Sequence, residues 1–471
     1  MTLPKARPPG PMPVGAVHDD EFDCAAMPLP PKNPLPYFRQ LKAARFLHTG
    51  CEQLRDAGGP VTLVKLGPKW LIPTLVIVTS PRGGHDMLAR SPAVMERVAV
   101  HDEMRRLMGD NLFDLRYDQW RPLRRALQPL FTKQHVAQFA GHMAQATETL
   151  VDGWPDGEAV DLDHECRAVT LRALGRSVLG VDLDAHAEAL AGSMRVALTY
   201  LMERGTRPLR APRWLPTPAR HRARVAVRTL RELAGEIVTG CRNDPDRDAP
   251  LVRALLAVED PETGRRLSDS EIRDQLIVFL LAGHDTTATT LTYALWQLGR
   301  HREVQQRAAA EVAALGEREL TADDVAALPF VGAVLQEALR LCPPAATAGR
   351  EAGRDVPVDG YRIPAGTLLI YGICAVQRDP ALWERAEEFD PQRFLGPGAR
   401  ARDRWQYIPF GAGPRSCIGD HFAMLEATLA LATIVRRVEL TSGEDDFPLA
   451  LPFTMVAGAP IPAGCRRRAA A

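Results

Sequence analysis

The chain has 471 residues, enough to bury a large hydrophobic core, and its length alone allows more than one domain. Its 58 lysines and arginines balance its 58 aspartates and glutamates, so net charge does not favour nucleic acid as a partner. No N-terminal apolar stretch approaches the ~20 residues of a membrane span, and the eight cysteines are dispersed without CxxC pairs. We therefore expect a soluble, cytoplasmic protein without a membrane anchor.

The N-terminal region is rich in proline and ends in PLPPKNPLP, a composition that favours extended polyproline conformations and buries little. We interpret residues 1–36 as a Pro-rich tail and residues 37–471 as a single domain. The segments VTLVKLG and TLVIVTS, which begin at Val61 and Thr74, follow this tail. Their composition predicts two β-strands joined by a turn.

Most of the remaining chain carries apolar residues at intervals of three to four, which predicts helices. The predicted helices cover residues 118–150, 185–205, 218–242, 270–300, 302–315, 331–342 and 420–437. A second small strand region is expected at VPVDGYRIPAGTLLIYG, where GYRIPAG supplies a turn. Strands near both ends of the helical array predict one α+β domain, mainly α with small β-sheets.

One predicted helix contains residues that are poorly suited to it. The segment IVFLLAGHDTTATTLTYALW is apolar on all sides, which is typical of a buried central helix. Gly283, Asp285 and Thr286 are weak helix formers, so we expect a local distortion. Gly283 would let a small molecule lie against the backbone, with Asp285 and Thr286 beside it. The alternative is a distorted core helix whose polar groups are satisfied internally.

The stretch FGAGPRSCIG, residues 410–419, places three glycines and a proline around Cys417, directly before the last predicted helix. One interpretation is a glycine-rich turn that contains a core cysteine. A dinucleotide-binding GxGxxG loop is excluded, because serine stands at position 416 and no βαβ unit surrounds the stretch.

Four motifs, FGAGPRSCIG, AGHDTT, EALR and FDPQRF, together resemble the cytochrome P-450 superfamily of haem-thiolate monooxygenases. The similarity keeps the family's order and runs from about Pro60 to near the C-terminus. The family pattern FxxGxRxCxG is matched by Phe410, Gly413, Arg415, Cys417 and Gly419. This resemblance implies the single-domain, bacterial-type cytochrome P-450 fold with haem b (iron protoporphyrin IX) as cofactor.

The resemblance also implies roles for individual residues. Cys417 would be the thiolate ligand of the haem iron, in a loop whose glycines pass close to the porphyrin. Asp285 and Thr286 match the family's acid and alcohol pair, which implies a proton relay. Glu337 and Arg340 would hold Arg393 and brace the cysteine loop. The other implied haem-binding residues are Trp120, Arg124, His101, Arg350, Phe410, Arg415 and Gly419, although a lone histidine such as His101 is often a packing residue.

The implied reaction inserts one atom of O2 into a substrate and releases the other as water. No flavin or nicotinamide motif follows the haem region, so electrons are expected from a ferredoxin or flavodoxin and its NAD(P)H reductase. The implied pocket segments suit a hydrophobic small molecule such as a terpenoid, steroid or fatty acyl chain. They are residues 96–113, 190–210, 278–286, 345–347 and 453–455. The alternatives are a haem-thiolate binding or sensing protein without turnover, and a non-hydroxylating oxidative rearrangement.

A docking surface for the redox partner is predicted from helix geometry. Trp120 and Arg124 share one helix face at i, i+4 spacing, so if they face the haem, Arg121 and Arg125 face outward. We expect the outward pair to form a basic patch for an acidic partner, together with Arg402 or Arg404. The alternative is a solvated arginine face with no partner.

Overall fold

Helices dominate the computed structural model, which describes residues 24–68, 74–90, 94–98, 100–181, 183, 187–206, 211–212 and 214–468. Its helices are α1 (Tyr37–Arg45), α2 (Leu47–Gly58), α3 (Pro81–Leu88), α4 (Val100–Met108), α5 (Tyr117–Leu127), α6 (Lys133–Val136), α7 (Ala140–Asp152), α8 (Leu162–Leu174), α9 (Ala187–Thr206), α10 (Pro218–Asn243), α11 (Pro250–Ala257), α12 (Asp269–Arg300), α13 (Arg302–Ala313), α14 (Pro329–Leu341), α15 (Ile373–Gln377), α16 (Gly396–Ala401) and α17 (Asp420–Arg437).

The strands are short and form small sheets. They are β1 (Val61–Val64), β2 (Leu75–Val78), β3 (Met95–Glu96), β4 (Ala159–Asp161), β5 (Thr347–Ala352), β6 (Val356–Val358), β7 (Tyr361–Ile363), β8 (Leu368–Gly372), β9 (Val438–Ser442), β10 (Leu449–Ala450), β11 (Val456–Ala457) and β12 (Pro462–Arg467). This mainly helical architecture with small sheets confirms the predicted fold class.

The largest sheet within the described residues joins both predicted strand regions, in the order β1-β2-β8-β5-β3. β1 and β2 are antiparallel with Val61 opposite Val78, whereas β2 and β8 are parallel with Leu75 opposite Leu368. A parallel pair needs a long crossover connection, and here the helical array supplies it. The sheet therefore fastens the start of the fold to the segment that precedes the cysteine loop.

The end of the proline-rich region lies along β1. The backbone N–H of Asn33 donates to the carbonyl of Leu63 at 2.8 Å, and that of Leu63 donates to the carbonyl of Pro31 at 2.8 Å. The buried Asn33 side chain donates to the carbonyl of Leu54. Residues 1–23 of the predicted tail lie outside the described residues, and the domain boundary at residue 36 stays a prediction.

The central helix α12 crosses the core and packs against α8, α10, α14 and α17. A capping box formed by Ser268 and Glu271 fixes its start. The expected distortion at AGHDTT is wrong, because α12 continues as an α-helix through these residues. The hydroxyl of Thr286 donates to the carbonyl of Ala282 at 2.6 Å. The hydroxyls of Thr289 and Thr290 likewise donate to backbone carbonyls one turn earlier in the helix. These bonds satisfy the threonines inside the helix.

The predicted helix over residues 118–150 is divided in the structure. α5 ends at Leu127, a 3-10 turn covers Gln128–Phe131, and α7 begins at Ala140. Pro129 lacks the N–H group that a continuing helix would need. Among the described helices, none is long and apolar enough to cross a lipid bilayer.

Candidate active site

The middle of α12 opens onto space that protein atoms do not fill. Ala282 is exposed and Thr286 is half-buried, although most of this helix is buried. The two residues share a face at i, i+4 spacing. Gly283 does not share this opening, because a Cβ atom there would lie 3.2 Å from Cδ2 of Leu174 on α8. The expectation that a small molecule lies against Gly283 is therefore wrong.

The cysteine loop takes its shape from two glycines with positive φ, Gly411 at 68° and Gly413 at 72°. A Cβ atom at Gly413 would lie 1.9 Å from the carbonyl oxygen of Leu88, so only glycine lets the loop rest on the end of α3. The N–H of Cys417 donates to the carbonyl of Phe410 at 2.9 Å and closes the loop. Phe410, whose side chain is half-buried, therefore contacts Cys417 through its own backbone carbonyl.

Cys417 differs from the other cysteines in its exposure. All eight cysteines lie in the described part of the chain and are unpaired, and the other seven are buried. Even so, the protein around Cys417 excludes enough water to raise the pKa of its thiol to about 11. The backbone amide of Gly419, at the start of α17, and the more distant guanidinium of Arg124 oppose this effect by stabilising a negative sulfur. The sulfur thus faces an enclosed space.

Four arginines lie close together near this loop. The pKa values of Arg350 and Arg415 are lowered to about 9 and that of Arg97 to about 10. Burial is the main cause, and repulsion between these positive charges adds to it. Arg124, the fourth, is also buried and donates to the carbonyl of Ser416 at 3.1 Å. Burial lowers its pKa too.

Two of these guanidinium groups lack a full set of acceptors. The Nε atoms of Arg97 and Arg415 are buried without a hydrogen-bond partner. Such donors are costly unless a ligand accepts from them. Carboxylates on a bound group would satisfy the donors and offset the repulsion. The cluster therefore fits the two propionates of a haem.

Trp120 and His101 complete the surroundings of the cluster. The guanidinium of Arg415 lies 4.3 Å from the centre of the Trp120 ring and donates to the carbonyl of Leu115. Nδ1 of His101 is 2.9 Å from a carboxylate oxygen of Asp114, and its Nε2 is 3.3 Å from Nη1 of Arg97. Burial, with Arg97 as a second cause, lowers the pKa of His101 to about 4, so this histidine is neutral at pH 7.

The structure thus brings together five of the predicted haem-binding side chains, those of His101, Trp120, Arg124, Arg350 and Arg415. The sequence-based prediction missed Arg97. This residue follows the two-residue strand β3, which is too short to show a hydrophobic period. Its position four residues before His101 was the available signal.

Asp285 points toward α8. Its carboxylate pairs with Arg167, whose Nε also donates to Asp163 at 2.8 Å. Neither Asp163 nor Arg167 is fully buried. The two predicted catalytic residues are therefore neighbours in sequence with different surroundings, because Thr286 faces open space and Asp285 is held in an ion pair.

A buried acid near α12 was also missed. Glu426 on α17 is buried, and burial raises the pKa of its carboxyl well above the ordinary range. The nearby hydroxyl of Thr287 partly opposes this shift. Burial therefore favours the uncharged form of Glu426. The polar residue in the apolar run LEATLALAT was the available signal.

The predicted brace beneath the loop is confirmed. Glu337 binds Arg340 at 2.7 Å and Arg393 at 3.2 Å, and the side chains of Glu337 and Arg340 are fully buried. The hydroxyl of Tyr407 donates a hydrogen bond to the carbonyl of Gln336, which lies on the same helix, α14. α14 therefore holds the segment that leads into the cysteine loop.

The predicted docking patch is only partly present. Arg121 is exposed, and no ion pair involves it within the described residues. Arg125 is bound to Asp260 at 2.6 Å and to Glu262, so its charge is largely neutralised. Arg402 packs over Trp383 and donates to the carbonyl of Arg393, so it faces inward.

Comparisons with known proteins agree with this geometry. The family model described as Cytochrome P-450 matches residues 28–463. Cyclooctat-9-en-7-ol 5-monooxygenase of Streptomyces melanosporofaciens is 33% identical over 82% of this chain and 83% of its own length. Pentalenene oxygenase of Streptomyces avermitilis is 33% identical over 78% of this chain and 83% of its own. The cytochrome P-450DA heme domain superposes with a TM-score of 0.82, at 27% identity, over 94% of this chain and 97% of that one.

The chain belongs to the cytochrome P-450 family. It is a haem b enzyme and a monooxygenase, as predicted.

Proposed function

We propose that this monooxygenase hydroxylates an apolar cyclic terpenoid and that Cys417 is its haem ligand. The names of two relatives, a cyclooctatenol 5-monooxygenase and pentalenene oxygenase, support this substrate class. Two of the predicted pocket segments are in contact, since the rings of Phe113 and Phe453 lie 5.9 Å apart. These aromatic side chains suit an apolar substrate. Val278, one turn before Ala282, adds an aliphatic side chain on the same helix face.

When bound, the haem activates O2 with two electrons and two protons, so that one oxygen atom enters the substrate and the other leaves as water. Cys417 would hold the iron as a thiolate, which the amide of Gly419 and the guanidinium of Arg124 stabilise. Trp120 and the Arg97, Arg350 and Arg415 groups would hold the propionates. These contacts would hold the cofactor in one orientation.

Proton delivery would use Asp285 and Thr286. The ion pair of Asp285 with Arg167, which extends to the partly exposed Asp163, gives the carboxylate a link toward solvent. Asp285 would rotate away from Arg167, take up a proton from solvent and pass it to the oxygen of the Thr286 hydroxyl. Thr286 would at the same time release its own hydroxyl proton, which is donated to the Ala282 carbonyl in this structure, to a molecule bound beside Ala282. This role for the hydroxyl is the reason for expecting turnover rather than ligand sensing alone.

Electrons would come from a ferredoxin or flavodoxin and its NAD(P)H reductase. The exposed charge of Arg121 supports an acidic partner, since α5 also carries Arg124, which contacts the cysteine loop. The cytoplasmic location stays a prediction, supported by eight unpaired cysteines, which are typical of a reducing compartment.

The ligand assignment is tested by the spectrum of the reduced protein with carbon monoxide. Cys417→His should lose the red-shifted Soret band of thiolate ligation, and Cys241→Ser, which changes a buried cysteine on α10, should keep it. A normal thiolate band in Cys417→His would show that another cysteine is the ligand. Titration with cyclic terpenoid alkenes, read by haem absorbance and by products with a surrogate ferredoxin system, tests the substrate class. Spectral shifts without product would favour a binding protein.

A further inference from the structure

A second concave site lies between α4 and α10. It is a cleft of about 330 Å³ lined by Arg106, Leu107, Arg224, Val227, Arg228 and Arg231. This volume is in the range of about 300–1,000 Å³ that small-molecule sites occupy. Four of the six lining side chains are cationic and none is acidic.

Within the described residues, Arg224 and Arg228 of α10 have no internal partner, and Arg231 interacts with the carboxylate of Asp274 without forming an ion pair within 4 Å. Arg224, Arg228 and Arg231 follow one another at i, i+4 and i+7, so their guanidinium groups lie on the same face. Within the described part of the chain, no ion pair or hydrogen bond of their side chains occurs, unlike Arg242 further along α10, which pairs with Asp269. Like charges on adjacent turns repel and lower the stability of the helix.

The opposite wall of the cleft, on α4, carries the guanidinium of Arg106, which an ion pair holds in position. Arg106 lies 3.3 Å from Glu103, and the same carboxylate accepts a hydrogen bond from Arg204 at 2.8 Å. Because Glu103 is shared with Arg204, it compensates Arg106 only in part. The cleft therefore concentrates positive charge in a chain whose net charge is zero.

We propose that this cleft binds a small molecule through a phosphate or diphosphate group. Guanidinium groups form paired hydrogen bonds to phosphate oxygens, and several around one site match an anion of more than one charge. Leu107 and Val227 offer apolar contacts to the organic part of such a ligand. The source can be free pyrophosphate or the diphosphate end of an organic compound.

The cleft is separate from the candidate active site. His101 and Arg106 lie on the same helix, but a difference of five residues places them about 140° apart around its axis. The ligand in the cleft therefore differs from the molecule oxidised beside Thr286. α4 joins the two sites physically, since one face contacts the arginine cluster and the other lines the cleft.

The test is calorimetric titration of the haem-loaded protein with sodium pyrophosphate at constant ionic strength. Replacing Arg224 and Arg228 by glutamine should weaken binding by about tenfold or more, since each charged hydrogen bond contributes more than 1 kcal/mol. The matched control replaces Arg195 and Arg222, which are exposed and lie outside the cleft, and should leave the affinity within about twofold. Titration with a monoalkyl diphosphate distinguishes the sources, because an organic ligand should bind more tightly than pyrophosphate.

A second measurement does not depend on the variants. Phenylglyoxal modifies accessible arginines, and pyrophosphate should protect Arg224 and Arg228 while leaving Arg222 reactive, as read by mass spectrometry. Absence of binding to the unmodified protein, equal affinity in both double variants, or equal labelling with and without pyrophosphate would each overturn the proposal. Binding of poly-L-glutamate without binding of pyrophosphate would overturn it in favour of an acidic protein surface.

Discussion

Thr286 differs from the other threonines of α12 because its side chain reaches open space. Thr287, Thr289, Thr290 and Thr292 are buried. We expect Thr286→Ala to bind haem normally and to consume reducing equivalents, but to divert them to peroxide or excess water, because the hydroxyl proposed to donate protons is lost. The measurement is product formed per NAD(P)H consumed, which should fall several-fold.

Thr292→Ala is the matched control for this variant. It removes a hydroxyl from the same helix at a fully buried position, where the hydroxyl bonds to the carbonyl of Ala288 at 2.8 Å. This control should lose some stability while its coupling of electrons to product is unchanged. Equal coupling in both variants and in the unmodified enzyme would exclude Thr286 from proton delivery.

At the level of single residues, helix spacing predicted burial better than it predicted neighbours. It placed Trp120 and Arg124 on one buried face. The pairing of Asp285 with Arg167 could not be predicted, because α8 was not recognised as a helix. Gly283 was misinterpreted for the same reason, since Leu174 of α8 occupies the space beside it.

The cysteine loop gives a direct comparison of two glycines with nearly equal φ. Gly411→Ala should cost about 1–2 kcal/mol from its positive φ alone, because no atom lies within 4 Å of the new Cβ. Gly413→Ala should cost more and displace the loop, because its Cβ would lie 1.9 Å from the Leu88 oxygen.

The two alanine variants are compared by thermal unfolding and by the carbon monoxide spectrum. The Gly413→Ala variant should lose thiolate ligation or haem content, whereas Gly411→Ala should keep both. Equal spectra and equal unfolding temperatures would show that contact with α3 does not shape the loop.

The brace between α14 and the segment before the loop is a buried charge network. Glu337→Gln should lower the free energy of unfolding by about 3–5 kcal/mol, because Arg340 would keep its charge in the interior without a counterion. Glu388→Gln should cost about 1 kcal/mol or less, since its pair with Arg385 is more than half exposed. Urea unfolding of the two variants is the measurement, and equal losses would contradict this explanation.

At the level of elements, the sequence predicted most long helices and the strands β1, β2 and β8 of the largest sheet, because each is identified by residues within a short stretch of chain. Strands β3 and β5 of that sheet were missed. α9, α10, α12, α13, α14 and α17 lie where the apolar spacing placed them. α8 was missed, because charged residues interrupt its apolar pattern, as in LDHECRAVTLRAL. The sheet formed by β4, β12 and β9 was missed because its strands are short and come from distant parts of the chain.

At the scale of the whole molecule, recognition of a redox partner depends on local charge, because the net charge is zero. We expect Arg121→Glu to slow reduction by an acidic ferredoxin several-fold at low ionic strength, with a smaller effect at high salt. Arg222→Glu, which reverses an exposed charge on α10, should leave the rate unchanged.

Stopped-flow reduction of the haem-loaded variants measures these rates, with haem content and terpenoid binding checked first. Arg125 is unsuitable for this test, since Arg125→Glu would place a third acid beside Asp260 and Glu262. An unaltered rate and salt dependence in Arg121→Glu would exclude this face of α5 from docking.

The parallel pairing of β2 with β8 has a consequence during protein synthesis. Leu75 pairs with Leu368, and a ribosome adding about 5–20 residues per second needs on the order of 15–60 s to pass from one to the other. Throughout that interval one edge of β2 has no partner, and an unpaired edge invites association with another nascent chain. Of the residues that would hold the haem, Arg97, Arg124 and Arg350 are translated during this interval, and Arg415 and Cys417 only after it. Cofactor capture is therefore a late step, after translation of most of the chain, and a cell producing this enzyme must protect the nascent chain until then.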